Sequence, residues 1–320
     1  MGLINSNIPE LEGTDTEIVL SNLDALESEL EHLLERRIAH ITELANSIIA
    51  DGGDEDIITS IILSIRYDSD SDFSGISSSN IKELKTLYAG LSIAERLMIF
   101  RQVFSKLYSS KKGLSKFLLD GNFEVSENAY GKIVYLKNSF NDSAYLAFSD
   151  FLASPTAHYA DSVTEVCSCV LDGRCEYCIL PIETSNDGKL LSFLRAIIKF
   201  GLKINLVFDL KSKDSDNLTR YALLSLKSIS AVPTSRIRNK ERFFDFIIPD
   251  TDNMSVSEVI MSAQLCSLEP ERIDTITLNS DSQRFFCMSF KTNHADIGTF
   301  VSYLAIDCPD FIPLGLYARI

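Results

Sequence analysis

The stretch CSCVLDGRCEYCILPIETSNDG, residues 167–188, holds four of the seven cysteines and then turns abruptly polar. Two chemistries compete there. Cys167, Cys169, Cys175 and Cys178 form a Cys-x-Cys…Cys-x-x-Cys series that could hold a metal or a redox pair if the thiols converged. Local structure argues against convergence. Two residues along a helix is about 200° of rotation, so Cys167 and Cys169 are expected on opposite sides. Cys175 is expected in a turn and Cys178 in a buried strand, with His158 as the nearby histidine. The expectation is four ordinary buried thiols, with no metal and no cofactor. The second half offers something else. A buried strand, CILPI, ends at Glu183-Thr184-Ser185, and a helix is expected after Asn186-Asp187-Gly188. Ligands of open α/β sheets sit at strand carboxyl ends, where loops and helix N-termini present unpaired amides. A small carboxylate would bind here.

The elements that must position these residues follow from periodicity. KIVYL reads as a strand, DSAYLAFSDFL as a helix and HYA as a short strand; SVTEVCSCVLDG is a helix stopped by Gly173. EYCILPI is a strand, GKLLSFLRAIIKFG a helix and KINLVF a strand. Strands alternating with helices over 130–230 predict crossover units and a largely parallel sheet. From 240 to 320 the order changes to FFDFII, SVSEVIMSAQLCSL, RIDTITL, RFFCMSFK, HADIGTFVSYLAI, IPLGLYARI. That is βαββαβ, the ferredoxin-like arrangement.

Residues 1–122 read as all-helical. Leu23, Leu26, Leu30, Leu33, Ile38, Ile41, Leu44 and Ile48 make one apolar stripe behind a Thr14-x-x-Glu17 capping box. Asp51-Gly52-Gly53-Asp54 ends it, and a second capping box, Ser92-x-x-Glu95, opens another helix through Leu97, Ile99, Val103, Phe104 and Leu107. So long an amphipathic helix needs a partner to cover its stripe, which predicts a homodimer through these helices as well as through the C-terminal unit.

Bulk composition narrows the class. With 320 residues, 45% hydrophobic and 23% charged, the chain can bury two or three cores. A net charge of −15 lacks the basic footprint of a nucleic-acid binder. No window approaches the apolar length of a membrane span, and MGLINSNIPELEGTD lacks the basic flank and apolar core of a secretion signal. Together with seven scattered cysteines this predicts a cytoplasmic protein without a membrane partner.

At LPIETSNDG the sequence resembles prephenate dehydratase, whose first lobe carries a Leu/Val-Pro-Ile-Glu-Asn-Ser/Thr-x-x-Gly turn after just such a strand. KIVYLKNSFNDSAYLAF resembles that family's opening strand and helix, and Asn217-Leu218-Thr219-Arg220-Tyr221 is similar to its Thr-Arg-Phe motif. The region 240–320 falls where the family carries a phenylalanine-sensing ACT domain. LDALESELEHLLERR and LSIAERLMIFRQVFSKL look like the helical chorismate mutase fused to it in bifunctional enzymes. The resemblance implies three units: a chorismate-mutase-like domain at 1–122, a single parallel α/β dehydratase-like lobe at 130–230 and an ACT-like domain at 240–320. It implies Arg37 (or Arg36, one register off) and Lys111 in the mutase pocket and Thr219 assisting hydroxide departure. It also implies Glu183, Thr184, Ser185 and Arg220 around the substrate.

The departures bear on activity. The family's mutase pocket surrounds a dianion with cations and donors, yet its remaining positions fall here at Leu20, Ile48 and Leu107. The Gly-Pro-x-Gly-Ser/Thr turn reads Lys137-Asn138-Ser139-Phe140-Asn141, and KINLVFDL reaches Thr219 through KSKDSDN alone, leaving no room for a second lobe. The effector motifs fall at Thr277-Leu278-Asn279-Ser280 and Met254-Ser255-Val256, without their arginine and glycine. Two readings follow: a catalytically silent scaffold or regulatory relative, and an active dehydratase or mutase of phenylalanine biosynthesis with substituted residues. Missing cations and a missing wall favour the first.

Overall fold

The computed structural model describes residues 90–99, 101 and 131–320 apart from 153, 212–216, 227–238, 252–254, 279–282, 294 and 309. It also describes the helical, exposed positions Ala25, Ser28, His32 and Arg36. Their spacing matches the polar complement of the leucine stripe. The stripe itself, the Thr14–Glu17 box, Arg37 and Lys111 lie outside the described residues.

One sheet runs through both α/β regions. In chain order the elements are α1 (Ile93–Ile99), β1 (Lys132–Leu136), α2 (Ser139–Ser149), β2 (Thr156–Ala160), α3 (Val163–Leu171) and β3 (Tyr177–Thr184). Then come β4 (Gly188–Lys189), α4 (Leu191–Lys199), β5 (Lys203–Lys211) and β6 (Leu218–Ser225). The C-terminal part is β7 (Arg242–Pro249), α5 (Val256–Leu265), β8 (Glu269–Thr277), β9 (Arg284–Lys291), α6 (Ile297–Asp307) and β10 (Ile312–Arg319). The strand order is β2-β1-β3-β6-β5-β10-β7-β9-β8, with β4 paired to β3. The last four strands, with the order β7-α5-β8-β9-α6-β10 along the chain, are the βαββαβ unit read from periodicity.

The lobe at 130–230 departs from the largely parallel sheet expected. β1 runs parallel to β2 and β3, but β6 inserts between β3 and β5 antiparallel to both. The reason is the connection: β5 and β6 are joined by residues 212–217, too few for a crossover, so the chain turns back as a hairpin. β10 then adds in parallel to β5 at Ala318 and Arg319, which fuses the two sequence regions into one sheet.

Side chains alternate between two faces. On one face of the β1–β3–β6–β5 half, α2 covers Ile133, Tyr135, Ile179, Leu206 and Leu223 with Phe148. On the other, Val134, Cys178, Leu180, Ala222 and Leu224 join Val166 and Val170 of α3 and Leu194 and Ile197 of α4. The same cluster takes in Phe243 and Ile247 of β7, Ile276 of β8 and Cys287 of β9. So one apolar core binds α3 and α4 against strands from both ends of the order, and the sheet curls around them. Arg195 of α4 donates to the Thr277 carbonyl of β8 at 3.1 Å.

The outer face of the C-terminal strands carries α5 and α6. Phe246 stacks on Phe290 (centroids 5.8 Å apart, planes 8° apart), and Phe300 of α6 packs edge-on to Phe246. Leu97 of α1 is buried in this core, worth about 2 kcal/mol. The Ser92–Glu95 box forms as read: Ser92 N–H and hydroxyl both donate to Glu95 Oε2 at 2.7 Å. Arg96 pairs with Asp307 and Arg101 with Asp296 (3.0 Å), so these two arginines are tied to the end of α6 and to its N-cap.

Where β10 passes β5, Gly315 sits in a bulge against Ile204. A Cβ there would penetrate the Ile204 carbonyl oxygen and lie 2.8 Å from its nitrogen, so backbone would have to move. At Gly173, with φ +70°, an added methyl would meet nothing within 4 Å. Gly315→Ala is therefore expected to lower stability by about 2–3 kcal/mol or more, and Gly173→Ala by about 1 kcal/mol, in urea unfolding.

Candidate functional site

Cys167 and Cys169 lie two residues apart on α3, so they leave opposite flanks of the helix. Both are fully buried in the same core as Cys175 and Cys178. α3 is covered on one side by β1, β2 and β3 and on the other by α4, so its buried stripe is wide enough to include both flanks. All four are free thiols. Burial raises Cys167 to about 11 and pushes Cys175 and Cys178 up as well, which keeps them neutral and poor ligands. No group of three or more His, Cys, Asp or Glu among the described residues has metal-holding geometry.

The turn after β3 is also not the expected loop into a helix. Gly188–Lys189 form β4, antiparallel to β3, with Gly188 at φ +68° making the reversal. The Thr184 hydroxyl accepts from the Asp187 amide and donates to its carboxylate, both at 3.0 Å. Ser185 Oγ accepts the Leu218 amide at 3.1 Å, and its own N–H donates to the Leu218 carbonyl. The hydroxyls of Thr184 and Ser185 thus tie the turn to itself and to β6. α4 begins only at Leu191, with no side-chain cap.

Glu183 is turned inward by a bulge. The β3–β6 register shifts between Pro181 and Glu183, so Ile182 and Glu183 together oppose Arg220. In such a bulge both residues lean to the face of their partner, and Glu183 joins Arg220 on the concave side. Arg220 Nη1 donates to Glu183 at 3.0 Å, while Nε and Nη2 grip Asp209, directly across on β5, at 2.7 and 3.1 Å. The other Glu183 oxygen is taken by Arg272 from β8, whose Nε also donates to Asp274 at 2.8 Å. Lys189 Nζ lies 3.9 Å from Glu183 and 3.6 Å from Asp245. Asp245, 1% exposed, accepts from the Tyr317 hydroxyl at 3.0 Å.

Four carboxylates and three cations therefore share one partly buried patch of the concave face. Burial alone would lower the Arg220 and Lys189 values. Asp209 and Glu183 outweigh it at Arg220, and Asp245 and Glu183 at Lys189, so both are held charged above their usual range. Tyr317 is pushed well up by burial and by Asp245. Burial raises the adjacent Cys287 thiol to about 12 against the pull of Lys189.

Of the residues read from sequence, the fold brings Glu183 and Arg220 together. Thr219 pairs across from Thr184 and points to the opposite face, the side of Tyr221 and Leu223. Asp209, Lys189, Asp245, Arg272, Asp274 and Tyr317 were not anticipated. One signal was present: Asp245 is a lone carboxylate inside FFDFII, where burial demands a partner.

No protein family model and no curated protein matches the chain. Among solved structures, a prephenate dehydratase from Streptococcus mutans is 19% identical, covering 59% of this chain and 98% of its own, at a TM-score of 0.48. A prephenate dehydratase in complex with L-Phe from Arthrobacter aurescens is 13% identical over 59% and 90%, TM-score 0.44. A protein described as a novel type of quorum quenching acylase is 17% identical over 58% and 94%, TM-score 0.41.

Removing Arg220 leaves two carboxylates facing each other. Arg220→Ala is expected to cost about 2–4 kcal/mol, and adding Asp209→Ala to recover part of it, a coupling that a double-mutant cycle in urea reads directly. The Tyr317 value lies above its unfolded 10.0. Its contribution is therefore full below that pH and is lost as pH rises, because the unfolded chain releases the proton first. Tyr317→Phe should flatten the fall of the urea midpoint as pH rises above about 10, relative to the parent.

Proposed function

We propose that this chain is a divergent, catalytically impaired relative of the bifunctional chorismate mutase–prephenate dehydratases, with an ACT-like C-terminal unit, acting as a cytoplasmic scaffold or regulatory homologue. The motif resemblance at LPIETSNDG and NLTRY and the βαββαβ order of β7 to β10 support the kinship. One observation carries the impairment. Among the described residues, every cation beside Glu183 is already held by a carboxylate: Arg220 by Asp209, Arg272 by Asp274, Lys189 by Asp245. A dianion such as prephenate would enter a patch with one negative charge in excess. To gain a cation it would have to strip a carboxylate from its partner, at about 3–5 kcal/mol for each partly buried pair broken.

Two further features support the same reading. Thr219 faces away from Glu183 and Arg220, so a group assisting departure and groups binding the acid would act on opposite sides of the sheet. The hairpin from β5 to β6 also leaves no segment between these strands to form a second wall. Water would reach the reacting bond, and positioning would be lost. No helix among the described residues is long and apolar enough to cross a membrane.

The test is incubation of the purified full chain with chorismate and, separately, prephenate, followed by absorbance. The expected result is loss of each at the uncatalysed rate, with no thermal shift on adding prephenate. Turnover well above background would reverse the reading in favour of an active dehydratase or mutase.

A further inference from the structure

The two edges of the sheet are built differently. β8, at one edge, carries Glu269, Pro270, Glu271, Arg272 and Asp274 and a bulge between Pro270 and Arg272. Charges, a proline and a bulge are the devices that stop an edge from recruiting another strand. β2, at the other edge, is Thr156-Ala157-His158-Tyr159-Ala160, with no acidic or basic chain other than the imidazole, no proline and no bulge. Its first four residues are exposed.

The direction of its backbone groups can be read from the ladder. The Thr156 amide donates to the Gly131 carbonyl, and β2 pairs with β1 in parallel from Thr156 to Ala160. In a parallel ladder alternate residues turn both polar groups to the same neighbour. Thr156, His158 and Ala160 therefore face β1, and Ala157 and Tyr159 turn N–H and C=O outward. Among the described residues no strand pairs with that outer side.

We propose that β2 is a self-recognition edge, where two copies of this chain pair β2 to β2 antiparallel about a two-fold axis at His158. The outward groups are symmetric about that residue. Ala157 of one copy then exchanges both bonds with Tyr159 of the other, and Tyr159 with Ala157, giving four hydrogen bonds and no orphan. This is the self-complementarity that an isologous interface requires and that a foreign peptide does not. His158 meets His158 of the second copy in the non-hydrogen-bonded position, where side chains come closest.

Charge selects this edge over β8. The chain carries −15, so most approaches between copies are repulsive, and β8 would bring Glu269, Glu271 and Asp274 against their own kind. Antiparallel pairing of β2 instead sets the Lys132 end of one copy level with the Asp161 end of the other. The flanks add apolar surface. Tyr159 is 47% exposed beside Tyr135, Leu146 of α2 is 64% exposed, and Tyr145 next to it bonds the Pro155 carbonyl at the start of β2. This surface lies at the opposite edge of the sheet from the C-terminal unit.

The experiment is size-exclusion chromatography with light scattering on the full chain across roughly a hundredfold dilution. Ala157→Pro removes an outward N–H that the β1 ladder does not use. His158→Asp, at an exposed position, sets two carboxylates opposite each other. Each is expected to halve the particle mass with unchanged circular dichroism. Mixing His158→Asp with His158→Lys should restore the parental mass, a rescue that simple misfolding would not give. A parent monomeric at every concentration, or a mass that survives both variants, overturns the proposal.

Discussion

Glu183 sits between two guanidinium groups that reach it from strands five places apart in the sheet order. A flat sheet could not bring β3 and β8 that close. The sheet must curl, and what makes it curl is the single apolar core that wraps α3 and α4 with strands from both ends. The ion network is the polar seam of that wrap. Its parts are partly desolvated, so each needs its partner, and none can be released to a ligand without leaving another charge alone.

The same closure explains why the C-terminal unit is not a detachable appendage. β10 pairs in parallel with β5, Gly315 lets the backbones approach, and Lys203 donates to the Pro313 carbonyl at 3.0 Å. The inner face of β7 to β9 is then buried against α4 rather than left for solvent. Because β5 turns straight back into β6, the concave side is bounded by the chain's own C-terminal strands. The site is closed internally, by Arg272 and Asp245, where a two-lobed binding protein would close upon its ligand.

Local signals carried much of the architecture. The capping box read at Ser92 and Glu95 does form, and Ser255, which was not read as a cap, also accepts the Glu258 amide at 3.4 Å. Apolar patterns located β1, β2, β3 and β5 and all four strands of the C-terminal region, whereas β4 and β6 were not read as strands. A misreading arose where two elements cooperate. Asn186-Asp187-Gly188 reads as a loop into a helix, but pairing with β3 draws Gly188 and Lys189 into a strand first.

Sequence by itself determined most of the helices and strands, all but β4 and β6 among the described elements, because period and caps act over a few residues and need no distant partner. The family resemblance also named Glu183 and Arg220, with Thr184 and Ser185, as residues around one site. Tertiary structure alone decided the orientation of β6, the face that Thr219 occupies and the identity of the charges around Glu183. Arg272 is 89 residues from Glu183 in the chain. Contact between such residues depends on sheet curvature, which is a property of the whole core and is written in no local pattern.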